Sequence, residues 1–143
     1  MKTLARAVAV LFLVGLMPMA ADAVCTVCGP ANSLRWTAPT TNTDATPLTD
    51  FAGFEVIVAV GTAGACVSTS SVIRDVGALG VPPTPLVNTQ VGVTLGSLTL
   101  TQGQKVAAVR AYDTAGNRSA CSAEVNFTFD AAAPSAPTGL GTQ

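Results

Sequence analysis

Val106-Ala-Ala-Val-Arg-Ala-Tyr-Asp113 is followed by Thr114-Ala-Gly-Asn-Arg-Ser119 and then by an alternating run from Cys121 to Phe129. In that run Ala123, Val125, Phe127 and Phe129 are apolar, while Ser122, Glu124, Asn126 and Thr128 are polar. A period of two over this length specifies a strand with one buried face and a fixed register. Asp113 and Asn117 bracket a Gly-containing turn, and their side chains can bond their own backbone. The whole stretch therefore reads as two strands joined by a tight polar turn, near the end of an all-β domain.

Working outward from this hairpin, period two persists and no helical apolar stripe appears after the N-terminus. Leu34 and Trp36 alternate with Ser33, Arg35 and Thr37, giving a strand that ends at Pro39. Residues 40–50 read as a polar loop. Phe54, Val56, Val58 and Val60 alternate with Glu55, Ile57 and Ala59, a second set that is also mostly apolar, so this strand is predicted to be central and covered on both faces. Gly61-Thr-Ala-Gly64 turns the chain back, and residues 67–74 form a Ser/Thr-rich run expected at a sheet edge. Pro82, Pro83 and Pro85 forbid a central strand in residues 75–90. Val91, Val93 and Leu95 mark the next strand, and residues 96–104 cross over to the hairpin.

The N-terminus carries Lys2 and Arg6, an apolar run over residues 7–17, Pro18 and then Ala21-Asp-Ala23, the pattern of a secretory signal cleaved after Ala23. The run is shorter than the roughly 20 apolar residues a bilayer span requires. Asp22-Ala-Val24 does not fit lipid attachment to Cys25. The expected organisation is thus a signal over 1–23, a Cys-containing segment over 24–31, a β-domain over 32–130 and a Pro/Ala/Gly-rich tail over 131–143. Without the signal, five basic and seven acidic residues remain, a formal charge of −2. That balance gives no electrostatic footprint for nucleic acid or anionic lipid. The expected location is secreted, extracellular or at the cell surface, with the periplasm as an alternative.

Three segments in order carry a resemblance: Leu34-Arg-Trp-Thr-Ala-Pro39, Thr46-Pro-Leu-Thr-Asp-Phe-Ala-Gly-Phe-Glu-Val56, and Val109-Arg-Ala-Tyr-Asp-Thr-Ala-Gly-Asn-Arg-Ser119. Together they resemble a bacterial fibronectin type III domain, over roughly residues 33–129. The resemblance implies an immunoglobulin-like β-sandwich of about seven antiparallel strands. It also implies a core of Leu34, Trp36, Phe54, Val56, Val58, Leu98, Val109, Ala111, Val125 and Phe127, in which Trp36 is the central tryptophan and Leu98 the crossover leucine. Two departures stand out. Lys105 and Ala107 occupy the positions where the family places a tyrosine and an inward aromatic, so the tyrosine corner is absent. The Pro-rich first-strand pattern is missing ahead of residue 32 and appears instead at the C-terminus as Ala133-Pro-Ser-Ala-Pro-Thr-Gly-Leu140.

The chain has no histidine, which removes the usual general base, His-dependent triads and most catalytic zinc sites. Asp44, Asp50, Glu55, Asp75, Asp113, Glu124 and Asp130 show no paired spacing and read as solvated acids on loops and outward strand positions. No catalytic residue, cofactor or metal ligand is therefore assigned. Cys25, Cys28, Cys66 and Cys121 are an even set in an exported chain, the pattern of two disulfides. Three pairings exist; placing Cys66 and Cys121 near opposite ends of one sheet favours bridges from Cys25 and Cys28 to the two distant cysteines. Asn117-Arg-Ser119 and Asn126-Phe-Thr128 match the glycan acceptor pattern, a short motif of low specificity.

The function these features imply is a non-catalytic secreted or cell-surface module acting through protein partners or self-association. A polysaccharide ligand has no positive support, because Tyr112 is the only tyrosine and Trp36 the only tryptophan. One alternative is a subunit of an extracellular filament or matrix, in which Pro134, Pro137 and Leu140 belong to a tail strand donated to the next subunit. Another is a thiol oxidoreductase using Cys25-Thr-Val-Cys28, against which stands Gly29-Pro30 with no helix behind it.

Overall fold

The computed structural model describes residues 25–136 and Thr138. The signal pattern, Pro137 and Leu140 lie outside the described residues; Pro134 lies in exposed coil. Among these described residues, seven strands occur in the order β1 (Val27–Cys28), β2 (Ser33–Thr37), β3 (Phe51–Val60), β4 (Val72–Gly77), β5 (Gln90–Thr94), β6 (Gly103–Asp113) and β7 (Val125–Phe129). A short 3-10 helix, Leu95–Leu98, follows β5. One sheet has the order β1-β7-β6-β3-β4 and the other contains only β2 and β5. The fold is all-β and two-layered, but the larger sheet is mixed: β1 pairs parallel to β7, setting Val27 beside Thr128 and Cys28 beside Phe129. The expectation of a wholly antiparallel arrangement is corrected there.

The core lies between the two sheets. Leu34, Val56, Val58, Leu95, Leu98, Ala107, Phe127 and Phe129 form one cluster, and Phe51, Phe54, Leu48, Val81 and Ala111 a second toward the other end. Trp36 joins the two, packing edge-on against Phe54 at 5.3 Å between ring centroids. It is only partly buried, as are Val109 and Val125, so these three are less central than expected. Trp36 Nε1 is itself buried without a hydrogen-bond partner among the described residues.

β3 is central, and its outward residues Glu55, Ile57 and Ala59 are buried like the inward Phe54, Val56 and Val58; Val60, expected with that inward set, is exposed where the strand leaves the sheet's cover. The cover over this outer face comes from two irregular segments. Residues 61–71 fold back so that Ala65 seats against Ala59, Val106 and Ala108, a third cluster made of small side chains. This is why the strand expected over residues 67–74 starts later, at Val72: the Ser/Thr-rich half is spent in turns closed by Gly64 and Ser68 carbonyls. From the other side, residues 114–124 run along β6 without becoming a strand. Ser119 and Ser122 each donate a backbone N–H to a β6 carbonyl, at Ala111 (2.9 Å) and Val109 (2.8 Å). Each then accepts with its hydroxyl the N–H of that same β6 residue, at 3.0 Å in both cases. Two positions on β6 thus face three on the partner, and the regular ladder resumes only at Val125.

The bulged residue pair between those serines includes Cys121, which bridges Cys66 on the folded-back loop; Cys25 bridges Cys28. The favoured sequence pairing is therefore overturned. It assumed that Cys66 lay at the far end of the sheet, whereas the loop carrying it returns over the sheet's outer face to the bulge, leaving 6.6 Å between the two Cα atoms.

The crossover into β6 is held by a buried lysine. Lys105 is 3% exposed, and its ammonium donates to Thr101 Oγ1 (3.2 Å) and to the Gln102 carbonyl (3.3 Å), tying down the crossover from the 3-10 helix to β6. On the chain-entropy view a bridge stabilises more the longer the loop it closes. Replacing Cys66 and Cys121 together with alanine is expected to cost about 2–4 kcal/mol in denaturant unfolding, and replacing Cys25 and Cys28 about 1–2 kcal/mol. Equal losses would show that loop length is not what sets their worth.

Candidate interaction cleft at the loop end

The loop after β2 and the turn after β6 meet at one end of the two layers. The first is folded on itself: Asn42 N–H donates to the Thr46 carbonyl (2.8 Å), Leu48 N–H to the Thr40 carbonyl (2.9 Å), and buried Leu48 anchors the loop in the core. Asp44 Oδ1 accepts both the Thr46 hydroxyl (2.6 Å) and its N–H (3.0 Å), which lowers the Asp44 pKa. The Asp113 turn is built as its composition implies. Asn117 donates its N–H to Asp113 Oδ1 and its amide nitrogen to Oδ2, both at 2.8 Å, and Gly116 takes φ = +87°. These contacts, the Asn117 side chain foremost, hold the Asp113 carboxyl below its ordinary range. Thr114 N–H donates to the Asp50 carbonyl at 3.0 Å and joins the loop to the turn.

Between them lies an open cleft of about 460 Å³ whose walls include Asn42, Asp44, Asp50, Asp113, Tyr112 and Arg118. Its single cation is already engaged. Arg118 Nη2 donates to Glu55 Oε1 at 3.0 Å, and Arg110 Nε meets Glu55 Oε2 at 2.5 Å. Arg118 Nη1 also donates to the Gly116 carbonyl at 3.1 Å, so the turn is tied to Glu55. The Arg118 hydrogen bond is the main reason the Glu55 pKa is lowered, opposed by burial and reinforced by Arg110. Next to this trio the Tyr112 hydroxyl donates to the Asp75 carboxylate, 2.9 Å from Oδ1 and 3.1 Å from Oδ2. Burial first, then Asp75, pushes the Tyr112 phenol up.

The reading of all acids as solvated fails for Glu55, which is 8% exposed and doubly paired; Asp75 stays exposed while accepting the Tyr112 hydroxyl. A signal was present: a charge on a strand covered on both faces must be paired, because an unpaired buried carboxylate is too costly to keep ionised. Which residues would pair it depended on the β3–β6 register and the path of residues 114–124. Among the described residues, no three His, Cys, Asp or Glu side chains gather to hold a metal ion, and no helix is long and apolar enough to cross a membrane. The Asp44 and Asp113 carboxylates at the cleft act as hydrogen-bond acceptors that shape it.

Glu55→Gln is expected to cost about 1–2 kcal/mol at neutral pH, a range discounted for the half-exposed Arg118. Because the folded pKa of Glu55 is depressed, its contribution is present above the ordinary carboxylate range and is lost as pH falls through that depressed value. Denaturant unfolding across acid pH should thus decline less steeply for Glu55→Gln than for the wild type. Gly53 lies under Tyr112: an added Cβ would stand 2.5 Å from Tyr112 Oη and 2.9 Å from the Gly77 carbonyl carbon. Gly53→Ala is expected to cost about 1–3 kcal/mol and to return the single tyrosine's spectroscopic titration toward its ordinary value; an unchanged titration would show that the ring keeps its place. Comparisons with protein-family models, with curated proteins and with solved structures find no match to this chain.

Proposed function

We propose that this chain is an exported, non-catalytic interaction module of the fibronectin type III kind, binding a protein partner in the cleft between residues 39–50 and 112–119. The observation that carries this reading is the pre-organisation of the cleft: both walls are closed by their own hydrogen bonds, so a partner need not order them on binding. The two disulfides and the N-terminal signal pattern support an oxidising, extracellular setting. Of the three sequence segments that resemble the family, the second and third run into the cleft on the entry to β3 and on the β6 turn, and the first, on β2, reaches its rim at Pro39.

With Arg118 engaged by Glu55, the carboxylates Asp44, Asp50 and Asp113 set the sign of the surface, so the partner presents lysine or arginine. The thiol-oxidoreductase alternative has weaker support. Cys28 is 1% exposed among apolar core residues on a strand, so its sulfur is closed to the approach that thiol–disulfide exchange requires. Asp50→Lys reverses one wall charge without touching a side-chain hydrogen bond of the fold. Cross-linking in the producing cells should recover a partner with the wild type and lose it with Asp50→Lys, at unchanged unfolding stability. Recovery of the same partner by both proteins would refute the cleft as the contact.

A further inference from the structure

The two-stranded sheet leaves its β2 edge open along the whole strand, whereas on the outer edge of β5 the Thr94 carbonyl already accepts the Ser97 hydroxyl. Leu95 N–H donates to the Asn32 carbonyl and Ala38 N–H to the Thr89 carbonyl, both at 2.8 Å, at the two ends of the β2–β5 ladder. The register between them sets Leu34 against Val93 and Trp36 against Val91. Antiparallel pairing alternates, so Asn32, Leu34, Trp36 and Ala38 turn their backbone groups toward β5, and Ser33, Arg35 and Thr37 turn theirs away. No described residue bonds to those three N–H and C=O pairs. The segment that could have covered them, β1, is joined to β7 in the other sheet. Devices that usually blunt such an edge are missing: β2 has no proline and no bulge. The stem of its one charged residue, Arg35, lies across Gly92 of β5, where an added Cβ would stand 3.1 Å from Arg35 Cγ, and so leaves the edge uncovered.

We propose that this edge receives residues 138–143 of a second copy of the chain as an added strand. The tail leaves the body beside the start of β2: Asp130 N–H donates to the Cys28 carbonyl at 2.9 Å, and the Asp130 carbonyl lies 3.7 Å from the Cβ position of Gly29, three residues before Asn32. Residues 131–136 are exposed and make no hydrogen bond to β2, so the stretch nearest the chain's own edge leaves it open. The occupant comes from another molecule. Thr138-Gly-Leu-Gly-Thr-Gln143 is the only part of the tail longer than three residues without proline, and it is uncharged. An antiparallel register with Gly139, Gly141 and Gln143 against Thr37, Arg35 and Ser33 fills all three open pairs. It sets Leu140 beside Trp36, whose indole is partly exposed, and the two glycines keep the solvent face clear for Arg35. Pairing β2 with the β2 of a second copy would instead oppose Arg35 to Arg35. Because each copy carries one donor and one acceptor at different places, addition is head-to-tail and does not close on itself.

The test uses the protein purified from its producing cells with disulfides intact, a variant lacking residues 138–143, and Arg35→Pro. Proline at position 35 removes an N–H that faces the open side while the β5 bonds of Leu34 and Trp36 remain. Sedimentation velocity over a concentration series should show association of the wild type, with its midpoint raised by about tenfold or more in each variant. Mixing the two variants, one with a tail and a blocked edge and the other with an open edge and no tail, should give a one-to-one dimer and nothing larger. A peptide spanning residues 137–143 added to the tail-less variant should shift the amide resonances of Ser33, Arg35 and Thr37, a readout independent of how Arg35→Pro folds. A monomeric wild type, a mixture that stays monomeric, or amide shifts elsewhere would overturn the proposal. So would assembly that survives both changes, which would place the contact on another edge such as β4 with its exposed Val72 and Ile73.

Discussion

The pairing of β3 with β6, buried on both faces, is the constraint from which the rest follows. The ladder runs from Phe51 opposite Asp113 to Val60 opposite Lys105. Its inner face meets β2, β5 and the 3-10 helix in the ordinary way. Its outer face carries Ile57, Ala59, Val106 and Ala108, which would be left in water if the protein were two bare layers. Residues 61–71 and 114–124 provide the missing cover, and Cys66–Cys121 fastens one to the other above the sheet. The same need explains the salt-bridged trio: where the cover thins toward the loop end, Glu55 replaces an apolar side chain, and the turn's own Arg118 closes over it.

How far the sequence discloses this can be judged residue by residue. Period two located β2, β3, β6 and β7, and the apolar set Ile57 and Ala59 identified β3 as covered on both sides, because those signals are local. The polar side chains that form the Asp113 turn were legible for the same reason. What stayed hidden was where irregular chain passes over the sheet. The Ser/Thr-rich run at residues 67–71 has strand-like composition but is taken up by turns around Gly64, and the segment holding Cys121 is kept out of the ladder by the side-chain bonds of Ser119 and Ser122. The cysteine pairing depended on both paths, and so did the partners of Glu55. Lys105 was legible only as a charge in an apolar run; its burial and its bond to the Gln102 carbonyl depend on the path of the crossover.

The scarcity of charge at the surface has a structural side. Of the five basic residues among those described, Arg74, Lys105, Arg110 and Arg118 all hydrogen-bond to groups of the same chain. Arg74 donates to the Leu98 carbonyl at 3.3 Å and holds the 3-10 helix from β4. Arg74, Lys105 and Arg118 therefore anchor irregular chain, and Arg110 ties two strands, in a chain with few aromatic residues, and the acids at the loop end are left to set the local potential. A protein that spends its positive charges internally presents a nearly neutral, Thr- and Ser-rich exterior, which lowers the desolvation needed to pack one such molecule against another.

The two serines bonded to β6, Ser119 and Ser122, give the outer cover an unusual kind of adjustability. In a backbone ladder, inserting one residue turns every following side chain to the opposite face. Along residues 114–124 the acceptors are hydroxyl groups at the end of rotatable bonds, and the odd spacing between Ser119 and Ser122 is absorbed before β7 begins. The segment behaves as a slip joint: the three-residue step from Ser119 to Ser122 against two residues of β6 is taken up before Val125, so the register of β7 and the core face of Phe127 and Phe129 do not depend on regular pairing of residues 114–124. The loop end of this fold is thus irregular while the sheet beneath it stays in register.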